Sequence, residues 1–226
     1  MIKIIDLRAK FSEEEIFKKF NAEAYAIPNL YLSLLQPFDS GTIKYCIIYV
    51  SPDCNFNKIG KTKFYADFYS LFDFNEYFSK NEVERKRMQL LVVHKAMLEI
   101  ADEHGWERKL FEGAYQKCLS SDLVFREKIK KIKVGPNKKR LSLSAFCDLH
   151  ILKVEWSVSN KNGDTIEQGV VIEDVPSSLD IIYQLDFEWV SDDKFIVKRN
   201  YKGLITNIWE IFLSSPTGKY SGVPQN

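Results

Sequence analysis

The segment between Phe64 and Phe78 combines aromatic and acidic side chains at high density. Eight of its fifteen residues are aromatic, and three carboxylates are interleaved with them. Aromatic side chains supply much of the binding energy at protein interfaces, and neighbouring carboxylates steer a basic partner. We therefore expect a partner-binding surface here, while the remaining rings fill the gap between a sheet and the first long helix. The predicted binding residues are Tyr65, Asp67, Tyr69, Asp73, Glu76 and Tyr77.

A second candidate, which would make the protein a nucleic-acid-associated factor or an enzyme, is the basic run between residues 126 and 140. Such a cationic segment can bind phosphate or nucleic acid, although a solvated helix end followed by a loop has the same composition. The whole chain carries 32 basic and 31 acidic residues, so its net charge of +1 disfavours a nucleic-acid partner. The residues of this alternative site are Lys130, Lys131, Lys133, Lys138, Lys139 and Arg140.

The sequence motifs of enzymes and metal sites do not appear in this chain. No two cysteines form a CxxC pair, and His94 and His104 lie ten residues apart on one predicted helix, where they cannot share an ion. Gly60-Lys61-Thr62 lacks the earlier glycine of a phosphate-binding loop, because Asn55 stands there. We predict no catalytic residue, no metal and no cofactor. The cysteines, predicted to be reduced and to pack as small hydrophobic residues, are Cys46, Cys54, Cys118 and Cys147.

The elements that position these residues begin with alternating strands and one capped helix. Ser12 and Glu15 have the spacing of a capping box, which predicts a helix that runs to about Tyr25. Apolar alternation predicts strands at 2–4, 30–35 and 42–50, the last covered on both faces, and an extended ribbon over 57–68.

A helical stretch follows in the middle of the chain. Ser79 and Glu82 repeat the capping-box pattern, and Gly105 is suited to end the helix that they begin. Two further helices are predicted over 106–119 and 122–132.

Downstream of Gly135-Pro136 the pattern changes to strands. Strands are predicted over 141–147, 152–158, 165–173, 181–189 and 194–199, with a hairpin at Asn162-Gly163 and a bulge at Gly169. Residues 204–213 fit a helix and a strand, and we favour the helix. The fold class is thus α+β: mixed N-terminal strands and helices, a central helical stretch and a C-terminal antiparallel meander. We expect one domain over 1–226, with a possible subdivision into 1–135 and 136–226.

The chain shows no signal of a membrane protein. Its N-terminus lacks the apolar core of a signal peptide, and no apolar run approaches the ~20 residues of a membrane-spanning helix. We expect a cytoplasmic protein without a membrane partner.

The aromatic-acidic segment, followed by Ala96-Met97-Leu98-Glu99-Ile100-Ala101 and Gly105-Trp106, resembles the immunity proteins of bacterial polymorphic toxins. Those are small cytoplasmic proteins that bind and block one cognate toxin domain. The resemblance covers mainly residues 64–106, and it implies a non-enzymatic inhibitor whose partner is a protein toxin.

Overall fold

The computed structural model describes residues 1–10, 14–53, 58–129, 132–176 and 180–213. Its contacts divide the chain into two compact units, and its helices and strands give an α+β protein. Unit 1 comprises residues 1–125 and 147–150, and unit 2 comprises residues 126–146 and 151–226. The boundary after Phe125 lies upstream of the subdivision predicted after residue 135.

Unit 1 is built on a four-stranded sheet with the order β1-β2-β4-β3. β1, β2 and β4 are parallel, and β3 pairs antiparallel with the outer edge of β4. β2 is central, and Cys46, Ile48 and Val50 on one of its faces are buried. Tyr45 and Tyr49 on its other face are only half-buried, so the prediction that both faces are covered is wrong. The strands are β1 (Ile4–Ala9), β2 (Tyr45–Ser51), β3 (Lys58–Lys61) and β4 (Tyr65–Leu71).

The five helices of unit 1 pack against this sheet or against one another. α1 and α2 contact β1, α4 contacts β2 and β4, and α5 packs on α2 and α4. The long helix α4 ends at Gly105, which adopts the left-handed conformation (φ 67°) predicted for its C-terminus. The helices are α1 (Glu15–Glu23), α2 (Ala26–Leu34), α3 (Phe74–Ser79), α4 (Glu82–His104) and α5 (Arg108–Ser120).

Unit 2 contains two antiparallel arrangements of strands. One sheet has the order β5-β7-β8-β9, with β6 also paired to β7, and the other has the order β10-β11-β12. Trp156 of the first sheet packs against Phe195 of the second, with ring centroids 5.2 Å apart. The elements are β5 (Phe125–Lys128), β6 (Lys133–Val134), β7 (Arg140–Cys147), β8 (Leu152–Ser159), β9 (Thr165–Asp174), α6 (Asp180–Tyr183), β10 (Leu185–Trp189), β11 (Lys194–Tyr201) and β12 (Leu204–Phe212).

Both predicted capping boxes are misplaced. α4 is capped by Asn81, whose Oδ1 accepts a bond from the Glu84 amide (3.0 Å), and the Ser79 hydroxyl instead donates to the Glu76 carbonyl. α1 begins at Glu15 with Glu14 in the capping position, and Ser12 lies outside the described residues.

The strand predicted at 30–35 is wrong, because these residues belong to α2. The apolar residues of α2 are buried around most of the helix. A continuous apolar run of this kind fits a buried helix and a covered strand equally well. Pro28 lies in the first turn, where its missing N–H breaks no helical hydrogen bond.

The helix predicted over 122–132 is also wrong. α5 ends at Ser120, and Leu123 has a positive φ of 53°, which a continuing helix cannot accommodate. The chain then forms β5 and reaches β6, both of which pair with β7.

Three predictions in unit 2 need correction. Leu204–Phe212 of the predicted helix form β12, since β11 supplies a ladder of partners, with one register shift, that the local pattern could not reveal. The strand predicted over 181–189 begins with the helical turn α6, and only Leu185–Trp189 is extended. The register of β9 shifts twice, between the partners of Val154 and Glu155 and between the partners of Val158 and Ser159, and not at Gly169.

Candidate functional site: a tyrosine-rich sheet face

Alternation along β4 brings three predicted binding residues to one face of the sheet. Ala66, Phe68 and Ser70 are buried, whereas Tyr65, Asp67 and Tyr69 point to the opposite side and stay exposed or half-buried. The strand register places Tyr45 beside Tyr65 and Tyr49 beside Tyr69. We call the surface formed by Tyr45, Tyr49, Tyr65, Asp67 and Tyr69 the tyrosine face.

The four tyrosine rings form two stacked pairs. Tyr45 and Tyr65 have centroids 4.7 Å apart with ring planes 21° from parallel, and Tyr49 and Tyr69 have centroids 5.0 Å apart at 17°. These separations match the spacing between neighbouring strands, so the rings stand on edge across the sheet. Within each pair the rings cover one face of each other, which reduces the flat area on which a nucleic-acid base could stack.

Asp67 lies between the two pairs. Its cross-strand neighbours are Ile47 on β2 and Gly60 on β3, neither of which has a polar side chain. Burial raises the pKa of the Asp67 carboxyl above its ordinary value, and the charge of Arg8 opposes that rise only in part. The ionised carboxylate is thus held in a position where the fold disfavours its charge.

The edge of the tyrosine face next to β1 carries opposite charges. Arg8 pairs with Asp6 of the same strand. The Lys10 ammonium lies 5.5 Å from the centroid of the Tyr69 ring. The face thus combines charges of both signs with tyrosine rings, and tyrosine is enriched at protein interfaces.

Asp73 and Glu76 follow β4 and lie outside this face. Both are exposed, and Asp73 caps α3 by accepting a bond from the Glu76 amide at 2.9 Å. Asp73 also lines a cleft of about 600 Å³ together with Glu14 and the rings of Phe17, Phe72 and Phe74. The carboxylates of Asp73 and Glu76 thus lie at the N-terminus of the short helix α3.

The prediction that Tyr77 contributes to a binding surface is wrong. Tyr77 is 0% exposed, and its hydroxyl donates a hydrogen bond to Glu23 Oε2 at 2.8 Å. The Arg85 Nη1 group contacts both oxygens of Glu23, at 2.6 and 2.8 Å, and Gln89 Nε2 donates to the Tyr77 hydroxyl at 2.6 Å. This buried network joins α1, α3 and α4.

Sequence reasoning missed this network because each member has an ordinary helical context. Glu23 ends an amphipathic helix, where glutamate is usually solvated, yet it is 2% exposed. On the same side of α4, Lys86 is also buried and pairs with Asp148 at 2.9 Å. No local signal marks these residues, since their partners lie far away in sequence.

The described residues of the alternative basic site do not lie at the end of a helix, as predicted. Lys133 lies on β6 and Arg140 begins β7, so the described residues form a hairpin whose turn contains Lys138 and Lys139. Lys139 Nζ donates a hydrogen bond to the Asp192 carbonyl at 2.8 Å, so this cation already has a partner within the protein. Lys130 and Lys131 lie outside the described residues.

The three described cysteines are free and buried, as predicted from their apolar context. Burial raises the pKa of Cys46, Cys118 and Cys147 to about 12, so none is an activated thiolate at neutral pH. Cys54 lies outside the described residues.

The described residues offer neither a metal-binding cluster nor a membrane-spanning helix. In this part of the chain no three His, Cys, Asp or Glu side chains are grouped so that they could hold a metal ion. None of the helices described is both long enough and apolar enough to span a membrane.

Comparison with protein-family models, with curated proteins and with solved structures found no match to this chain.

Proposed function

We propose that this protein is a non-enzymatic inhibitor, an immunity protein that neutralises a cognate protein toxin by occluding its active cleft through the tyrosine face. The proposal rests on one observation: two stacked pairs of tyrosine rings flank Asp67 on the sheet face opposite the helices. The sequence resemblance to polymorphic-toxin immunity proteins supplies the class of partner.

The geometry of the rings favours a protein partner. Rings that stand on edge offer hydroxyl groups for hydrogen bonds together with rigid apolar area, and both suit a folded surface. The paired rings lose little side-chain freedom on binding, because stacking already restricts them. A protein surface with shallow apolar ridges fits this arrangement better than an unpaired base does.

Asp67 supplies the electrostatic part of the proposal. A carboxylate whose charged form is disfavoured in the free protein gains most when a cationic group approaches it. Toxins that act on nucleic acids carry basic clefts, and such a cleft would bring lysine or arginine to this position. Asp67 would then hold the inhibitor over the residues that contact the toxin's substrate.

The test is co-expression with the toxin domain encoded in the neighbouring reading frame of the native host. We expect the wild-type protein to restore growth and to bind the purified toxin domain. Tyr69→Ala and Asp67→Lys should each weaken binding about 30-fold or more, because residues at the centre of an interface typically cost 2 kcal/mol or more when lost.

Tyr183→Ala is the matched control, since Tyr183 is an exposed tyrosine of unit 2 that lies outside the tyrosine face. It should bind as wild type does. The proposal is contradicted if Tyr69→Ala and Asp67→Lys both bind with wild-type affinity, or if the wild type fails to protect against the toxin.

A further inference from the structure

Gly60 lies inside β3, directly opposite Asp67 of β4. Glycine is depleted in strands, because it has no side chain to pack and loses more backbone entropy on folding than other residues do. A glycine inside a strand usually marks a bulge, a left-handed backbone, a tightly packed neighbour or a place where a ligand approaches the backbone closely. The surroundings of Gly60 distinguish among these reasons.

The first three reasons do not apply to Gly60. Its backbone does not have a positive φ, and β3 pairs with β4 without a register shift. A Cβ atom on Gly60 would meet no atom of the described residues closer than 3.5 Å, which is ordinary van der Waals contact. The folded chain therefore has room for a side chain at this position, and the close approach of a ligand is the reason that remains.

The space above Gly60 is bounded by a carboxylate and an aromatic ring. The point where a Cβ atom would stand lies 3.5 Å from Asp67 Cβ, 3.8 Å from Asp67 Oδ2 and 4.0 Å from Tyr69 Cε2. Tyr49 stacks on the Tyr69 ring from the β2 side, whereas Gly60 lies on the β3 side. We call the opening between Gly60, Asp67 and Tyr69 the Gly60 notch.

The chemistry of the Gly60 notch suits a cation. No side chain of the described residues forms a hydrogen bond or an ion pair with Asp67, and burial raises the pKa of its carboxyl. An approaching positive charge would stabilise the ionised carboxylate, and the neighbouring ring of Tyr69 would attract the same charge.

A guanidinium group fits this surrounding better than an ammonium group does. Its planar fork can donate two parallel hydrogen bonds to the two oxygens of one carboxylate. It is also more weakly hydrated than an ammonium group and stacks on aromatic rings, so it loses less on entering a half-buried site. Both Asp67 oxygens and the Tyr69 ring are therefore used by one planar cation.

We propose that the Gly60 notch binds a guanidinium group, which one arginine side chain of the toxin supplies. The guanidinium donates to Oδ1 and Oδ2 of Asp67 and occupies the space that a side chain at position 60 would fill. The source of the arginine rests on the proposed function, whereas the affinity of the notch for guanidinium depends on unit 1 alone. A small guanidinium compound should therefore bind without any toxin.

The first test titrates the full chain with N-acetyl-arginine methylamide at neutral pH and follows the backbone amide signals of Gly60 and Asp67 by NMR. We expect a shift that is confined to the notch and is lost in Asp67→Asn. The lysine analogue has the same charge and should bind about fivefold more weakly, because an ammonium group cannot form the paired hydrogen bonds.

The second test fills the notch with a methyl group. Gly60→Ala should unfold at the wild-type temperature or above it, since the new Cβ atom meets only ordinary contacts. The same variant should weaken toxin binding at least about tenfold, because the methyl group takes the place of the guanidinium. A glycine needed only for the fold would give the opposite result, a less stable protein. Gly113→Ala is the matched control, because a Cβ atom on Gly113 would meet nothing within 4 Å, and it should bind as wild type does.

The two proposals can fail separately. Toxin binding that Gly60→Ala leaves unchanged would overturn the Gly60 notch and leave the proposed function intact. Equal affinity for the arginine and lysine compounds, or no shift at Gly60 with either, would also overturn the notch. A protein that binds the arginine compound at Gly60 but does not bind the toxin would support the guanidinium site and contradict the proposed function.

Discussion

At the scale of single residues, the tyrosine face holds Asp67, a carboxylate whose charged form the fold destabilises, at a position that a cationic group of a partner can contact. Asp67 stands between two stacked ring pairs, with an isoleucine and a glycine as its cross-strand neighbours. Burial raises its pKa, so the ionised form is less stable in the folded chain than in water. Positions of this kind are often functional, because stability alone would select an uncharged residue there.

We expect Asp67→Asn to raise the melting temperature at pH 7. A carboxyl group whose pKa is higher in the folded than in the unfolded state binds its proton more tightly in the folded state. Its contribution to stability is fully present at pH values below the unfolded pKa, and it is lost as the pH rises through the folded pKa. At neutral pH the charge therefore costs stability, and a neutral side chain of the same shape removes the cost.

The gain from Asp67→Asn should shrink as the pH falls towards 4, where the wild-type carboxyl becomes protonated. Thermal unfolding at several pH values measures both effects. Asp73→Asn is the control, because asparagine caps a helix as well as aspartate does, and its melting temperature should stay near wild type. A lower melting temperature for Asp67→Asn at pH 7 would refute this account of Asp67.

The buried network around Glu23 gives a second prediction at this scale. Arg85→Met removes the cation that contacts both Glu23 oxygens and leaves the buried carboxylate with only the His150 ring, 3.8 Å from Oε1, near it. We expect a loss of about 3–5 kcal/mol in the free energy of unfolding, measured by urea denaturation. Lys80→Ala, which breaks the exposed pair between Glu76 and Lys80, should cost only ~0.3–0.5 kcal/mol.

Adding Glu23→Gln to the Arg85→Met protein should recover part of the lost stability, since the unpaired charge disappears. A double variant no more stable than Arg85→Met would show that the charge of Glu23 is not the cause of the loss.

At the scale of elements, caps and chain reversals set where the helices and strands end. Gly105 adopts a left-handed conformation that ends α4 without a steric penalty. Gly169 is required for another reason: a Cβ atom there would lie 2.8 Å from Nε1 of the Trp156 ring across the strand pair. The glycine predicted to form a bulge therefore makes room for a buried ring.

The two helix-associated glycines Gly105 and Gly113 should respond to alanine in opposite directions. Gly105→Ala forces a side chain into the left-handed region and should cost about 1–2 kcal/mol. Gly113 lies within α5, and a Cβ atom there would meet nothing within 4 Å. Gly113→Ala should therefore stabilise the protein by ~0.4–1 kcal/mol. Chemical denaturation of both variants checks this, and equal signs for the two changes would contradict the assignment of the α4 terminus.

At the scale of the whole molecule, the proposed toxin contact lies within one of the two compact units. Unit 1 carries the tyrosine face, and Tyr69→Ala and Asp67→Lys change only that unit. A change in toxin affinity caused by these variants therefore reports on unit 1.

The sequence by itself determined the fold class, the course of α4 to Gly105, and the hairpin between β8 and β9. These features depend on local chemistry: a left-handed glycine and an Asn-Gly turn. Only the tertiary structure decided that residues 30–35 are helical, that residues 204–212 are extended, that Tyr45 and Tyr49 complete the tyrosine face, and that Tyr77 is buried. Such outcomes depend on partners distant in the chain, because an apolar run adopts the conformation that its neighbours in space can cover and pair.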